Sequence, residues 1–338
     1  MTYLIDRRAV LAGLAGLAGQ AGLAAAPALA QTASGTVVIY TPNNAQAVDA
    51  VLGVAKAREP NLKISTITGG SGQLLRRIEA EAAKPQADIF WSSSANTLGA
   101  FTQLFEPYVS PQAKAIPQAL HQRDGLWTAS NIHLVVAMIN TTRLGGKPAP
   151  KSWKDLTDPS LKGNIIIADP ANSSTAYTIL WGVSKLMGQE GLKALAANVT
   201  VSSAAATVLR AVSQGEYAVG LTFESNAYAY VAGGQREIQL VYPSEGTFST
   251  AEFQALIKGA PAGATARATF DLMLSKEAQI ALLENAFRRP SRDDIDVAKY
   301  ADLPAMDKVK IFEIDEQDAA AQRDAFLAQW QSYGSGTK

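Results

Sequence analysis

After its first thirty residues, the chain alternates between two hydrophobic patterns. Short apolar runs bounded by turn residues are typical of buried strands, and apolar residues at intervals of three and four are typical of helices. In 45–58, Val48, Val51, Leu52 and Ala55 share one helical face. The first group of predicted elements comprises strands at 37–40, 62–67 and 87–91 and helices at 45–58, 73–83 and around 96–103. This order predicts a mostly parallel sheet with helices on both faces, an α/β fold.

A second alternating group occupies the middle of the chain. It follows a long apolar run at 132–139, which we expect to pass between two domains. The predicted elements after it are strands at 164–168 and 217–222, a helix at 175–187 after the loop 169–174, a helix from Glu224 to Gly233-Gly234, a strand at 253–258 that returns to the first group, and helices at 259–275 and 319–333.

The N-terminal segment has the pattern of an export signal. The pair Arg7-Arg8 precedes an Ala-, Gly- and Leu-rich run that ends in an A-x-A sequence at 28–30, which is typical of a secretory signal peptide. The pair resembles a twin-arginine signal, but Ala12 stands where Lys is common, so Sec export remains an alternative. Glycines within the run disfavour an uncleaved membrane anchor. We expect residues 1–30 to be removed near Ala30-Gln31 and the mature chain to reach the periplasm.

Composition excludes several classes of function. The 338 residues contain no cysteine, which excludes disulfides, a lipidated N-terminus, thiol catalysis and cysteine-ligated metals. There are 30 basic and 30 acidic residues, and the basic residues form no cluster of the kind that nucleic-acid binding requires. The roughly 300 residues after the signal are enough for two modest domains.

Four polar loops follow predicted strands. In open α/β sheets, ligands bind beyond the carboxyl ends of the strands, and this rule selects the loops 41–44, 69–73, 92–96 and 169–175. All four are rich in Ser, Thr, Asn and Gly. These residues commonly cap helix starts, where unpaired backbone N–H groups need acceptors. The same N–H groups can instead bind an anion. Four such loops at one sheet edge favour a binding site over capping alone.

The segment 172–176 is the strongest candidate, because Ser173, Ser174 and Thr175 place three hydroxyl groups at one helix start. A phosphate or carboxylate would fit there, and capping of the helix by its own serine is the alternative. The glycine-rich segment 69–72 lacks the Gly-Lys-Ser/Thr ending of a phosphate loop, so it gives no support to nucleotide hydrolysis.

Other side chains allow more than one interpretation. Glu224 follows a strand and could accept hydrogen bonds from ligand hydroxyls or an amine, or could simply favour the helix dipole. His133 lies in an apolar strand, where a structural role is the first expectation. Arg289 and Arg292 flank Pro290 and could offer a cationic contact.

The chain resembles the periplasmic solute-binding proteins of ABC importers, in the branch named after ferric iron. The segments that carry this resemblance are 38–41, 85–91, 215–220, 258–261, 275–279 and 289–292. The resemblance implies a type II periplasmic binding fold, in which two α/β lobes are joined by a hinge of crossing strands and the ligand binds in the cleft between them. The implied divisions are a first lobe at 35–134 plus 248–305, a second lobe at 135–247, and C-terminal helices at 306–338 packing across both.

The resemblance also bears on the ligand. Ferric-binding members use a His, a Glu and an adjacent Tyr pair, whereas the matching places here look like Asn44, Ser93 and the surroundings of Glu224. Tyr228 and Tyr230 are not adjacent. The segments 221–224, 228–234 and 242–247 instead resemble members that import phosphorylated organic solutes such as hexose phosphates or 2-aminoethylphosphonate. The residues expected to bind such a ligand are Thr41, Asn43, Asn44, Ser71, Gly72, Ser93, Ser94, Ser173, Ser174, Thr175 and Glu224.

The main hypothesis is therefore a monomeric periplasmic receptor that delivers a small anionic solute to an ABC permease and needs no cofactor. In this hypothesis Ser173, Ser174 and Thr175 hold the phosphate, and Glu224 contacts the organic part. The first alternative is a receptor for ferric iron with a bound anion. The second is a secreted hydrolase that uses Glu224 and Glu245 as an acid–base pair, although the sequence lacks the G-x-S-x-G nucleophile motif.

Overall fold

The computed structural model describes residues 34–121, 124–334 and 336–337. The predicted signal peptide and its cleavage point lie outside the described residues. The strands are β1 (Gly35–Thr41), β2 (Leu62–Thr68), β3 (Ile89–Ser93), β4 (Phe105–Glu106), β5 (Thr128–Asn140), β6 (Ile165–Ala168), β7 (Val199–Ser202), β8 (Val219–Phe223), β9 (Ile238–Val241), β10 (Ser249–Ile257), β11 (Arg289–Pro290) and β12 (Gly336–Thr337).

Helices fill most connections between these strands. No helix in the described part of the chain is both long enough and apolar enough to cross a lipid bilayer. The α-helices are α1 (Ala45–Arg58), α2 (Ser71–Ala80), α3 (Ala95–Leu98), α4 (Ser174–Ala196), α5 (Ala205–Ser213), α6 (Glu224–Ala232), α7 (Ala264–Met273), α8 (Lys276–Ala286), α9 (Glu316–Ala321) and α10 (Arg323–Ser332).

Two groups of parallel strands form the two halves of the sheet. In the first half, β1 lies between β2 and β3 and runs parallel to both. In the second half, β6 lies between β7 and β8, again in parallel. The strand order across the sheet is β12-β7-β6-β8-β5-β10-β3-β1-β2. Parallel strands with helical crossovers confirm the α/β prediction, and the crossing strands between the halves match the expected type II architecture.

The strand β5 passes from the first half to the second. Its first part pairs antiparallel with β10, as far as Leu134 opposite Ser249. From Val135 onward it pairs antiparallel with β8. The apolar run at 132–139 therefore does pass between the halves, as predicted, but the strand begins earlier, at Thr128. Whether the lobes divide at the positions expected from the sequence stays a prediction.

The apolar runs of β1 and β3 are continuous because both strands are largely buried on both faces, whereas the edge strand β2 is half-buried or exposed after Leu62. Ile39 and Ile89 pack in a core on one face of the sheet. Their neighbours Tyr40 and Phe90 pack in a core on the other face, as the two-residue period of a strand requires. The second half has its own core, to which Phe326 and Trp330 of α10 also contribute.

Several predicted boundaries were wrong. The helix α7 begins at Ala264 instead of 259, after Gly263 with its positive φ of 51°. The helix expected at 319–333 is two helices, α9 and α10, because Gln322 between them has φ −99° and ψ 7°. The strands β7 and β9 and the helix α5 were not predicted. Each is short, and β7 alternates buried and half-buried residues instead of forming an apolar run.

Truncating a fully buried ring in the first half tests the core. Phe90 is 0% exposed, and its ring centroid lies 6.3 Å from that of Phe105. We expect Phe90→Ala to lower the free energy of unfolding by about 3–5 kcal/mol, as measured by urea denaturation. The control Val109→Ala removes a side chain that is 74% exposed and is expected to change it by less than about 0.5 kcal/mol. Equal effects of the two variants would contradict this core.

Candidate functional site

Loops of the two halves meet at the carboxyl ends of β1, β2, β3 and β6; we call this meeting place the cleft. The N–H of Ser174 donates to the hydroxyl of Ser71 across it, with N and Oγ 3.0 Å apart. Asn96 Nδ2 donates to Thr178 Oγ1 at 2.9 Å. The structure therefore shows the halves in a closed arrangement and brings together three of the four loops selected from the sequence.

Two glycines of α2 and its cap make this contact possible. A Cβ atom on Gly72 would lie 2.1 Å from the carbonyl oxygen of Ala171, and one on Gly70 would lie 2.5 Å from that of Asn172. Both distances are far below van der Waals contact. The main chains of the two halves can approach this closely because neither glycine has a side chain.

The C-terminal helix α10 adds a further bond across the cleft. Arg323 is 4% exposed, and its guanidinium donates to Thr97 Oγ1 of the first half and to the Pro170 carbonyl of the second, each at 3.2 Å. It also lies over the ring of Tyr177, 4.3 Å from the centroid. Within the described part of the chain, no carboxylate lies within ion-pair distance of Arg323, although the charges of Asp324 and Asp169 act on it from farther away.

Asn43 and Ser93 present polar atoms at the ends of adjacent strands. The register of β1 and β3 pairs Tyr40 with Phe90, and Thr41 Oγ1 continues it by donating to the Trp91 carbonyl at 2.7 Å. Both amide atoms of Asn43 and the hydroxyl of Ser93 are buried without a hydrogen-bond partner among the described residues. Such atoms cost about 1–3 kcal/mol each when unpaired, so each calls for a partner that the described residues do not supply.

Helix capping accounts for two of the predicted ligand residues. Asn44 is exposed, and its Oδ1 accepts from the N–H of Ala47, 3.0 Å away, at the start of α1. Ser173 Oγ accepts from the N–H of Ala176 at 3.3 Å at the start of α4. The N–H of Thr175, which lies between the paired N–H groups of Ser174 and Ala176, donates to no described residue. The start of α4 thus keeps one free donor at the cleft.

Glu224 is not the free acceptor that the sequence suggested. It is 1% exposed, and Arg289 holds both its oxygens, with Nε 2.7 Å from Oε2 and Nη2 2.9 Å from Oε1. The hydroxyl of Tyr242 also donates to Oε1. Burial, followed by the charge of Glu224, raises the pKa of Tyr242 far above its usual value. The predicted cationic contact of Arg289 is thus made with Glu224.

A second buried charge cluster lies behind the cleft and was missed from the sequence. We call it the Glu252 cluster; it comprises Ser92, Asn131, His133, Ser225, Glu252 and Arg288, all at most 5% exposed. Glu252 Oε2 accepts from Arg288 Nη1 at 2.7 Å and lies 2.8 Å from His133 Nε2. Burial lowers the pKa of His133, and its ring nitrogens lie within hydrogen-bonding distance of Asn131, Ser225 and Arg288; its structural role stays a prediction. The signal available in the sequence was a glutamate inside the apolar run of β10.

The side chains named in the two alternative hypotheses, a ferric receptor and a hydrolase, have other partners or do not cluster. They contain no group of three or more His, Asp and Glu side chains placed to hold a metal ion. Tyr228 packs edge-on against Phe287, with ring centroids 4.9 Å apart. Glu245 accepts from the N–H groups of Trp153 and Lys154, each at 3.0 Å, and Glu224 is paired as described above.

Comparison with known proteins gives consistent matches over most of the chain. The profile of the family described as "Bacterial extracellular solute-binding protein" matches residues 84–320. An uncharacterized protein of Haemophilus influenzae is 31% identical over 293 residues, which cover 80% of this chain and 82% of that protein. A putative 2-aminoethylphosphonate-binding periplasmic protein of Salmonella typhimurium is 23% identical and covers 82% of this chain and 84% of its own length.

Solved structures agree in fold. The periplasmic binding protein AfuA of Actinobacillus pleuropneumoniae, with fructose-6-phosphate bound, matches with a TM-score of 0.80 and 27% identity, over 89% of this chain and 99% of that one. Iron-bound HitA of Pseudomonas aeruginosa matches with a TM-score of 0.75 and 22% identity, over 88% and 99% of the two chains. The second likeness shows the fold alone.

The close contact at Gly72 yields a test of closure. We expect Gly72→Ala to hold the halves apart, because its methyl group would overlap the Ala171 carbonyl oxygen. Small-angle X-ray scattering should then give a larger radius of gyration than for the unaltered protein in the same buffer. Gly53→Ala is the matched control, since Gly53 is also helical and nothing lies within 4 Å of its added Cβ. An unchanged radius for Gly72→Ala would contradict the closed contact.

Proposed function

Because the chain belongs to the family of bacterial extracellular solute-binding proteins, we propose that it captures a small phosphorylated organic solute in the cleft and delivers it to an ABC permease. The observation that carries this proposal is the set of unpaired donors and acceptors where the two halves meet. Thr175 keeps a free main-chain N–H, and Asn43 and Ser93 keep buried polar side-chain atoms without described partners. Closure of two halves around such groups is a common way to sequester a ligand.

The anionic group of the solute would bind at the start of α4. Free N–H groups and the helix dipole favour negative charge at that end. Thr175 has the free N–H there, and Ser173 and Ser174 directly precede it. The buried charge of Arg323, at the Pro170 carbonyl of the same loop, adds to this preference.

The organic part of the solute would bind on the first half of the sheet. Asn43 and Ser93 offer both donors and acceptors, which suits hydroxyl or amine groups better than a second phosphate. Thr41, Ser71, Gly72 and Ser94 shape the same surface. In this proposal Glu224 does not meet the solute as a free carboxylate, because Arg289 neutralises it. The pair of Glu224 and Arg289 would form a wall of the site.

Relatives support this choice of ligand class. AfuA was solved with fructose-6-phosphate bound, and the Salmonella relative is a putative 2-aminoethylphosphonate-binding protein; the first compound carries a phosphoryl group and the second a phosphonyl group. The alternative of ferric binding has less support, because the described residues contain no group of three or more His, Asp and Glu side chains that could hold a metal ion. Export to the periplasm, a monomeric mature chain, docking on a permease and the lack of an enzymatic activity complete the proposal.

Isothermal titration calorimetry tests the ligand class. The mature protein is titrated with fructose 6-phosphate, 2-aminoethylphosphonate, unphosphorylated fructose and ferric citrate. We expect at least one phosphoryl compound to bind and fructose to bind much more weakly, since the anion supplies the interaction at α4. Tight binding of ferric citrate with a charge-transfer colour, and of no phosphoryl compound, would sink the proposal in favour of iron. Phosphorus NMR of the bound ester after long incubation would expose any hydrolysis.

A substitution that removes one N–H group tests the anion site. Thr175→Pro deletes the free donor, and proline is tolerated in the first turn of a helix. Hydrogen bonds to charged groups contribute about 1.5–3 kcal/mol, so the affinity for the phosphoryl ligand should fall about tenfold or more. Thr175→Ala keeps the N–H and is the matched control. Equal affinities of the two variants would show that this N–H does not bind the anion.

A further inference from the structure

Glu252 lies between two irregularities of the sheet. On one side, Phe253 and Gln254 of β10 pair with Ser93 and Trp91 of β3, so Ser92 is an extra residue in β3. On the other side, the pairing of β10 with β5 skips Ser130. An extra residue of this kind is a β-bulge, which bends a strand and redirects the side chains after it. Both bulged residues are serines next to Glu252.

The bulge at Ser92 has a strained backbone. Its φ is +86°, and among the described non-glycine residues only Phe287 also has a positive φ. Residues with a side chain disfavour a positive φ because it brings the Cβ atom too close to the following carbonyl oxygen. Such strain persists only where the surroundings enforce it, and it is concentrated at functional sites.

The Glu252 cluster supplies that enforcement. The hydroxyl of Ser92 donates to Glu252 Oε2, and Arg288 fixes the same oxygen from 2.7 Å. His133 continues the chain of contacts, because its Nδ1 lies 3.2 Å from the hydroxyl of Ser225 in α6. Ser130 Oγ holds the backbone of Glu252 by donating to its carbonyl at 3.1 Å. The cluster thus connects the end of β3 in the first half with the start of α6 in the second.

The bulge determines on which face of the sheet each side chain lies at the end of β3. Because strand side chains alternate, one extra residue exchanges the faces of all residues after it. With the bulge, Ser93 has a buried hydroxyl without a described partner, and Ser94 donates to Asn96 Oδ1 at 2.6 Å. Without it, Ser93 and Ser94 would exchange faces.

We propose that Glu252 is a positioning residue for the cleft: it holds Ser92 in the left-handed conformation and so directs Ser93 toward the ligand and Ser94 toward Asn96. Glu252 does not touch the ligand itself. The inference rests on the proposed function only in assuming that the cleft binds a phosphoryl solute; the geometry at Ser92 is independent of it.

A double-mutant cycle tests whether Glu252 acts through the backbone of Ser92. The variants are Ser92→Ala, Ser92→Gly, Glu252→Gln and Ser92→Gly combined with Glu252→Gln, titrated with fructose 6-phosphate and 2-aminoethylphosphonate. Glycine adopts a positive φ without strain and alanine does not. We expect Ser92→Ala and Glu252→Gln each to weaken binding about tenfold or more. We expect Ser92→Gly to retain affinity and to reduce the effect of Glu252→Gln in the combined variant.

The other bulged serine is the matched control. Ser130 is also fully buried and also bonds to Glu252, but its φ is not positive. Replacing it with glycine should therefore be no better for binding than replacing it with alanine, the reverse of the order at Ser92. Thermal unfolding of every variant shows whether a loss of affinity merely reflects loss of the folded state, and Ser92→Ala leaves the charges of the cluster intact if Glu252→Gln fails to fold.

Crystal structures of the same variants without ligand give a second readout. We expect residue 93 to stay opposite Phe253 in Ser92→Gly and to leave that register in Ser92→Ala and in Glu252→Gln. The proposed role of Glu252 is overturned if Ser92→Ala and Glu252→Gln both keep the bulge. It is also overturned if Glu252→Gln weakens binding by the same factor whether residue 92 is serine or glycine. If the unaltered protein binds neither probe, the proposed function fails, and the crystal structures alone decide this inference.

Discussion

The site depends on how closely two stretches of main chain approach each other. The start of α2 lies against the carbonyl oxygens of residues 171 and 172, at a distance that only glycine permits at positions 70 and 72. This contact brings the hydroxyl of Ser71 to the N–H of Ser174 and fixes the separation of the two halves. The parallel strands behind the loops hold them in place, since β1, β3 and β6 each end in buried residues.

Given that contact, the buried charges limit what kind of ligand the proposed site could hold. The carboxylates of Glu224 and Glu252 are each paired with an arginine, as buried charges must be. They are therefore not available as metal ligands or as a free acid–base pair. What is left facing the cleft is a set of neutral dipoles, from main-chain N–H groups, an amide and hydroxyls, together with the nearby charge of Arg323. This combination suits an anion that carries polar organic groups.

Much of this architecture could be predicted from the sequence, because most of the parallel strands, β2 and β7 apart, are buried on both faces and read as continuous apolar runs. The helix α1 was predicted with its observed limits, since its apolar face is a local signal. Asn44, which caps it, was predicted as a ligand residue. The short strand β7 and the break between α9 and α10 could not be, because their conformation is set by packing. The loops of the cleft were found from the rule on strand ends. The partners of Glu224 and Glu252 were not found, because Arg288 and Arg289 are distant in sequence from both.

The Ser92 bulge shows the same limit at the scale of one residue. A run of three serines reads as a flexible polar loop, yet its first member is buried, strained and bonded to a glutamate 160 positions away. Only the pairing register reveals that β3 carries an extra residue. Local sequence rules and the structure disagree there, as is common at functional sites.

A crystal structure of the mature protein with its phosphoryl ligand tests the central claim most directly. The account predicts that the phosphorus atom lies between the two halves, with an oxygen accepting from the N–H of Thr175 and the organic part against Asn43 and Ser93. A metal ion at that place, or a phosphoryl group bound outside the cleft, would contradict it.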